Sequence, residues 1–270
     1  MKFQLKALAA AAILAAALPA QAAFDTAQSG NSSLILSVYD TTAQISALFD
    51  LGKNYSDFNV VGASFANSGV TNPGTSFSWN LTTGDYATAW SQFLTTATLP
   101  NIKYAIIAAD NVGAGTGSRG LISTYSALGS YLTTSQVLTQ AAKSDNYAAV
   151  NATGSAVLYE NHSMVANGGS VANAGDGYGP NYYLFNKNYG IGPTATGFIG
   201  SDLSVFQATS NAVSVVAPTI TLFGNGAKFN LANNGSLVYS TVAAVPEADT
   251  WAMMLLGLGF MGFVARRKQA

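Results

Sequence analysis

Cysteine is missing from all 270 residues, and its absence removes disulfides, thiolate nucleophiles, thiolate metal sites and iron–sulfur clusters. Stability must therefore come from core burial and strand pairing, whatever the redox compartment. Charge is scarce too: Asp, Glu, Lys and Arg make up 9% of the chain. Setting the two ends aside leaves six basic and ten acidic residues between Ala23 and Val245, with no basic cluster. A phosphate backbone finds no electrostatic footprint there, which argues against nucleic acid as a partner. Disorder is not expected either, because Val, Ile, Leu, Phe and Tyr recur among Ser, Thr, Asn and Gly while net charge stays small.

What is present is most informative at the ends. Lys2 and Lys6 form a positive start, and Ala7 to Leu18 is an apolar stretch of twelve residues, too short to cross a bilayer comfortably. Pro19 breaks the helix, and Ala20-Gln21-Ala22 supplies the small-x-small pattern that signal peptidase reads in an extended segment. Residues 1–22 therefore read as a signal peptide cut after Ala22. At the other end Trp251 to Ala265 is uncharged and is followed at once by Arg266, Arg267 and Lys268. Fifteen helical residues reach roughly 22 Å, short of the ~30 Å of hydrocarbon. Local thinning, Trp251 at one interface and snorkelling cations at the other make up the difference, so 251–265 is expected to be a transmembrane helix. The cations stay cytoplasmic, so the chain runs from outside to inside.

Val245-Pro246-Glu247, then a short apolar run, then Arg266-Arg267-Lys268 resembles the PEP-CTERM sorting signal of Gram-negative bacteria. The family pattern usually reads Pro-Glu-Pro; here Ala248 follows Glu247. The resemblance covers about 26 residues and implies that an exosortase-type processing enzyme recognises Pro246 and Glu247 and removes the tail during export. It also implies a host that makes exopolysaccharide or biofilm. The chemistry of the segment agrees, since Pro246 holds the backbone extended and denies it to a helix, as a proteolytic cleft requires.

Between the ends, period-2 alternation marks strands at Ser33 to Tyr39 and Gln44 to Phe49, joined by the polar turn Asp40-Thr41-Thr42 into an opening hairpin. Tyr104 to Ala109, Ser201 to Thr209 and Val213 to Val216 add further strands. Thr219 to Phe223, Ala227 to Leu231 and Ser236 to Thr241 are divided by Asn225-Gly226 and Asn233-Asn234-Gly235, turn sequences that tolerate positive φ, and read as a three-strand meander. Helices are expected at Asp85 to Leu94, burying Tyr86, Ala89, Trp90 and Phe93, and at Thr134 to Ala142, burying Val137, Leu138 and Ala141. The expectation is a mainly β chain: a single β-sandwich-like domain over 23–243 with one or two short helices, then the tail at 244–270.

Chemistry-bearing motifs are few. Gly115-x-Gly117-x-x-Gly120 follows an apolar run, but the Ser, Thr and Tyr that come next read as strand and turn, so it is a surface loop and not a nucleotide cradle. His162 stands near Glu160, but no Gly-x-Ser-x-Gly elbow provides a nucleophile, and Asp110, Asp145, Asp176 and Asp202 show no sign of pairing as a glycosidase requires. No spaced set of metal ligands occurs, and neither a metal nor a cofactor is expected. More suggestive is 176–192, where Tyr178, Tyr182, Tyr183 and Tyr189 alternate with Gly and Asn. Such rings can stack on sugar C–H faces while amides bond hydroxyls. The functional expectation is a protein without catalytic activity, exported through the inner membrane by way of signal peptidase and a transient anchor. It would reach the outer surface or extracellular matrix and serve structurally within exopolysaccharide. A carbohydrate-binding module is the first alternative and a secreted hydrolase the second.

Overall fold

The structure is a computed structural model that describes residues 25–61, 69–115, 117–127, 137–138, 141, 163–165, 169–172, 195–211, 217–243 and 254–258. Its first strands are the expected hairpin: β1 (Ser33–Asp40) and β2 (Ile45–Asn54) pair antiparallel, with Leu36 opposite Phe49 and Val38 opposite Ala47. The turn between them is organised by one side chain. The Asp40 carboxylate accepts the backbone N–H groups of Thr42 at 2.8 Å and Ala43 at 3.0 Å on its own turn, and of Thr98 at 2.9 Å from elsewhere in the chain. Burial raises the Asp40 carboxyl, but the three N–H donors outweigh it and hold the group below the usual range.

Every residue of β1 is buried, so both faces of this strand are covered. Leu34, Leu36 and Val38 join the main core, while Ile35 and Tyr39 join a second cluster on the other face, as side-chain alternation requires. The helix α1 (Tyr55–Phe58) follows β2 directly, started by a capping box between Asn54 and Asp57. The expected helix at 85–94 forms as a 3-10 turn, Gly84–Tyr86, continued by α2 (Ala87–Leu94), which buries Ala89, Trp90 and Phe93. The expected helix at 134–142 is described at 137–138 and 141, which are helical, and Val137 and Ala141 are buried in the second cluster.

The remaining strands are β3 (Ser76–Asn80), β4 (Ile102–Asp110), β5 (Arg119–Tyr125), β6 (Ser163–Val165), β7 (Gly169–Ala172), β8 (Gly197–Phe198), β9 (Asp202–Ser210), β10 (Thr219–Leu222), β11 (Lys228–Leu231) and β12 (Ser236–Ser240). Among the described residues the sheet is one continuous antiparallel array in the order β3-β12-β11-β9-β5-β4-β1-β2-β7-β6, with β10 on β9 and β8 on β4. The expected sandwich of two sheets is therefore replaced by a single sheet that curls on itself. Right-handed strand twist accumulates across neighbours and turns the array inward. The curl brings β3 back towards β2, where the Trp79 indole N–H donates to the Leu51 carbonyl at 2.7 Å and Lys53 lies over the Phe77 ring. Inside the curl, Phe58 of α1 packs on Phe77, Phe229 and Tyr239 with centroids 5.9, 5.8 and 5.1 Å away. The helices thus plug the concave face.

The late meander is also corrected. Asn225 and Gly226 do adopt positive φ, 54° and 62°, as their sequence signals. They do not join a hairpin, because β10 and β11 both run antiparallel to β9, β10 along Phe206 to Thr209 and β11 along Asp202 to Ser204. The Asn-Gly pair is a tight excursion between two collinear segments, and of these three strands β11 and β12 form the hairpin. The expected strand at 213–216 lies outside the described residues.

Candidate functional site

β12 is the last of the described strands, paired on one side with β11 and on the other with β3. Leu237 and Tyr239 point into the core, and the buried Tyr239 hydroxyl donates to the Val70 carbonyl at 2.8 Å. Beyond the strand the chain stays fastened. Thr241 N–H donates to the Thr75 carbonyl and its hydroxyl to the Asn72 carbonyl, at 2.9 and 2.6 Å. Val242 N–H donates to the Asn225 carbonyl, the Val242 carbonyl accepts the Gly74 N–H, and Asn225 Nδ2 donates to the Thr71 carbonyl. Ala243 follows, exposed, and the segment that leads to the apolar run at 251–265 begins at the next residue.

Residues 244–268 match the family model of the PEP-CTERM protein-sorting motif. The PEP-CTERM tail thus starts two residues after the last fastened position of the domain, and it marks the chain for export and sorting by an exosortase to the cell envelope or surface. No curated protein and no solved structure matches the chain. Of the tail, residues 254–258 are described: they are helical, and Met254, Leu255, Leu256 and Leu258 are exposed. Among the described residues no helix is long and apolar enough to cross a membrane. Val245, Pro246, Glu247, Trp251, Arg266, Arg267 and Lys268 lie outside the described residues, as do Ala20 and Ala22 of the expected signal-peptidase site.

The same holds for Tyr178, Tyr182, Tyr183 and Tyr189, and for Glu160, His162, Asp145 and Asp176. Two of the carboxylates are described, and the fold separates them. Asp110 lies across from Gly120, which lies across from Thr209, and Thr209 is seven residues along β9 from Asp202. That is roughly 23 Å of strand, against the ~5–9.5 Å between the two carboxylates of glycosidases. Each is engaged locally. Asp202 is held below the usual range by hydrogen bonds from Lys228 and Asn230, while burial pushes Asp110 up despite the Val112 N–H and nearby Arg119. Among the described residues no group of His, Asp or Glu is placed to hold a metal ion.

Gly115 and Gly117 lie in the connection from β4 to β5, which pairs antiparallel with β4 where a nucleotide cradle would need a helix. Gly120 itself sits in β5 for a packing reason, since a Cβ there would overlap the Tyr55 hydroxyl. That hydroxyl belongs to a buried polar cluster that no local motif announces. Gln207 Nε2 donates to Tyr55 Oη at 2.6 Å and to Asn59 Oδ1 at 2.7 Å, and Gln207 Oε1 accepts the Val60 N–H at 2.8 Å. Burial pushes the Tyr55 phenol far up, so it stays neutral. The available signal was Gln207 at an inward position of the Leu203, Val205 alternation. Every polar atom of the amide is satisfied, and the cluster fixes α1 against β9.

Proposed function

We propose that this chain is an exported, non-enzymatic protein whose β-domain works outside the cytoplasm as a structural component of an exopolysaccharide matrix. In this reading signal peptidase removes residues 1–22, the segment 251–265 holds the chain briefly in the inner membrane, and an exosortase-type enzyme recognises Pro246-Glu247 and detaches the domain. The observation that carries the reading is the sorting motif at 244–268. The domain's chemistry supports it. Outward positions of β3 are Ser76, Ser78 and Asn80, and Lys228 is neutralised by Asp202. A weakly charged surface that presents hydroxyls and amides can exchange hydrogen bonds with sugar hydroxyls.

Intact-mass measurement of the extracytoplasmic protein from the native host tests the proposal. The expected product has lost mass at both ends, and deleting the exosortase gene restores the C-terminal part. Full-length chain in the cytosol, or a released product that keeps residues 244–268 while the enzyme is present, would overturn it. The structural role is tested by matrix retention: a strain lacking the chain should shed more of its exopolysaccharide on washing, and unchanged retention counts against that role.

A further inference from the structure

We propose that the end of the β-domain from which the tail leaves is a docking face for the tail-processing enzyme, formed by an uncharged rim of residues 69–75, 222–226 and 241–243. This rests on the reading above that such an enzyme acts at Pro246-Glu247.

The three segments share one end of the sheet by register: Ser240 of β12 lies opposite Ser76 of β3 and Lys228 of β11. The loop entering β3, the excursion entering β11 and the chain leaving β12 therefore meet. Hydrogen bonds tie them together, from Thr241 and Val242 to Asn72, Thr75 and Asn225, and from Asn225 to Thr71. Because Val242 is fastened on both its N–H and its carbonyl, the domain cannot draw away from the tail without breaking these bonds.

Length then makes contact unavoidable. Pro246 is the fourth residue after Val242, and four residues of fully extended chain reach about 14 Å. Neighbouring strands are about 4.8 Å apart, so that reach is about the width of three strands. An enzyme that closes on Pro246-Glu247 meets the end of the folded domain.

The chemistry of the rim suits such a contact. None of the three segments contains Asp, Glu, Lys, Arg or His. Asn72, Pro73 and Asn225 are exposed, and so are two apolar side chains, Leu222 at 52% and Val242 at 60%. The next charge along the chain after the excursion, Lys228, is paired with Asp202. A surface of this kind can be covered by a protein without stranding an ion.

The test uses the full chain in cells that contain the processing enzyme. A photo-crosslinking amino acid is placed at Pro73 or Val242, with Asn233 at the opposite end of β12 as control, and processing is followed by pulse-chase. Adducts with the enzyme are expected from Pro73 and Val242 and not from Asn233. Leu222→Asp combined with Val242→Asp should slow tail removal several-fold, and a six-residue Gly-Ser insertion between Ala243 and Ala244 should relieve that slowing. Protease resistance of the purified domain checks that the variants are folded. Normal processing without rim adducts, adducts to lipid alone, equal adducts from Asn233, or a folded double-Asp variant cut at the native rate would each overturn the docking face. If the unsubstituted chain keeps its tail in these cells, the functional reading itself fails and the docking face with it.

Discussion

Single residues set tolerances in this domain that their types do not advertise. Gly120 carries no side chain because the Tyr55 hydroxyl fills that space, and Tyr55 is held there by Gln207. Gly120→Ala should therefore destabilise by about 1–3 kcal/mol through overpacking. Tyr55→Phe should recover part of that loss in the double variant, so denaturant melts of the four-member cycle will show a non-additive term. Asp40 makes a second, pH-dependent prediction. Its carboxyl is held below the ordinary value of 3.8 in the folded protein, so its contribution is present above that pH and is lost as pH falls through the folded value. Asp40→Asn would set an amide N–H₂ against the Thr98 N–H and should cost about 1–3 kcal/mol at neutral pH. The difference from the native chain should shrink below about pH 4 in melts run across the acid range.

At the scale of elements, β1, β2, β4, β9 to β12 and α2 were legible because alternation and helical spacing are local, and Ser33 to Tyr39 or Ala87 to Leu94 show them without reference to the rest of the chain; β3 and β6 to β8, of two to five residues each, were not expected. Partners were not legible. The Asn225-Gly226 pair reads as a hairpin turn from sequence, because positive φ is a property of the residues; whether β10 then pairs with β11 depends on β9 offering an edge long enough for both. The seam between β2 and β3 is a further product of tertiary structure, made by strands far apart in the sheet order. Trp79→Phe keeps the aromatic packing and removes the indole donor to Leu51. The expected cost is about 0.5–1.5 kcal/mol, with faster amide exchange in the second half of β2 and in β3 and little change in β4 and β5. Uniformly faster exchange would show instead that the seam is not a separate unit.

For the whole molecule, what matters is how closely the sorting motif follows the fastened sheet. The described hydrogen bonds of the domain reach Val242, and the sorting motif starts at residue 244. Ending the chain after Ala243 should leave the thermal midpoint of the domain nearly unchanged. Ending it after Ser240 removes the Thr241 and Val242 bonds to Asn72, Gly74, Thr75 and Asn225, and should lower the midpoint clearly, since each lost bond is worth about 0.5–1.5 kcal/mol. Scanning calorimetry of the two truncations decides this. Residue type and short-range order along the chain were enough for the sorting tail, for the lack of thiol and thiolate-metal chemistry and for the strands β1, β2, β4 and β9 to β12. That the strands form one curled sheet, that Asp110 and Asp202 lie far apart, that Gly120 serves Tyr55, and that loops far apart in sequence meet around the tail's point of departure is visible in the folded chain alone. Those are contacts between distant segments, fixed by strand register and by how much a twisted sheet must curl to bury its aromatic face.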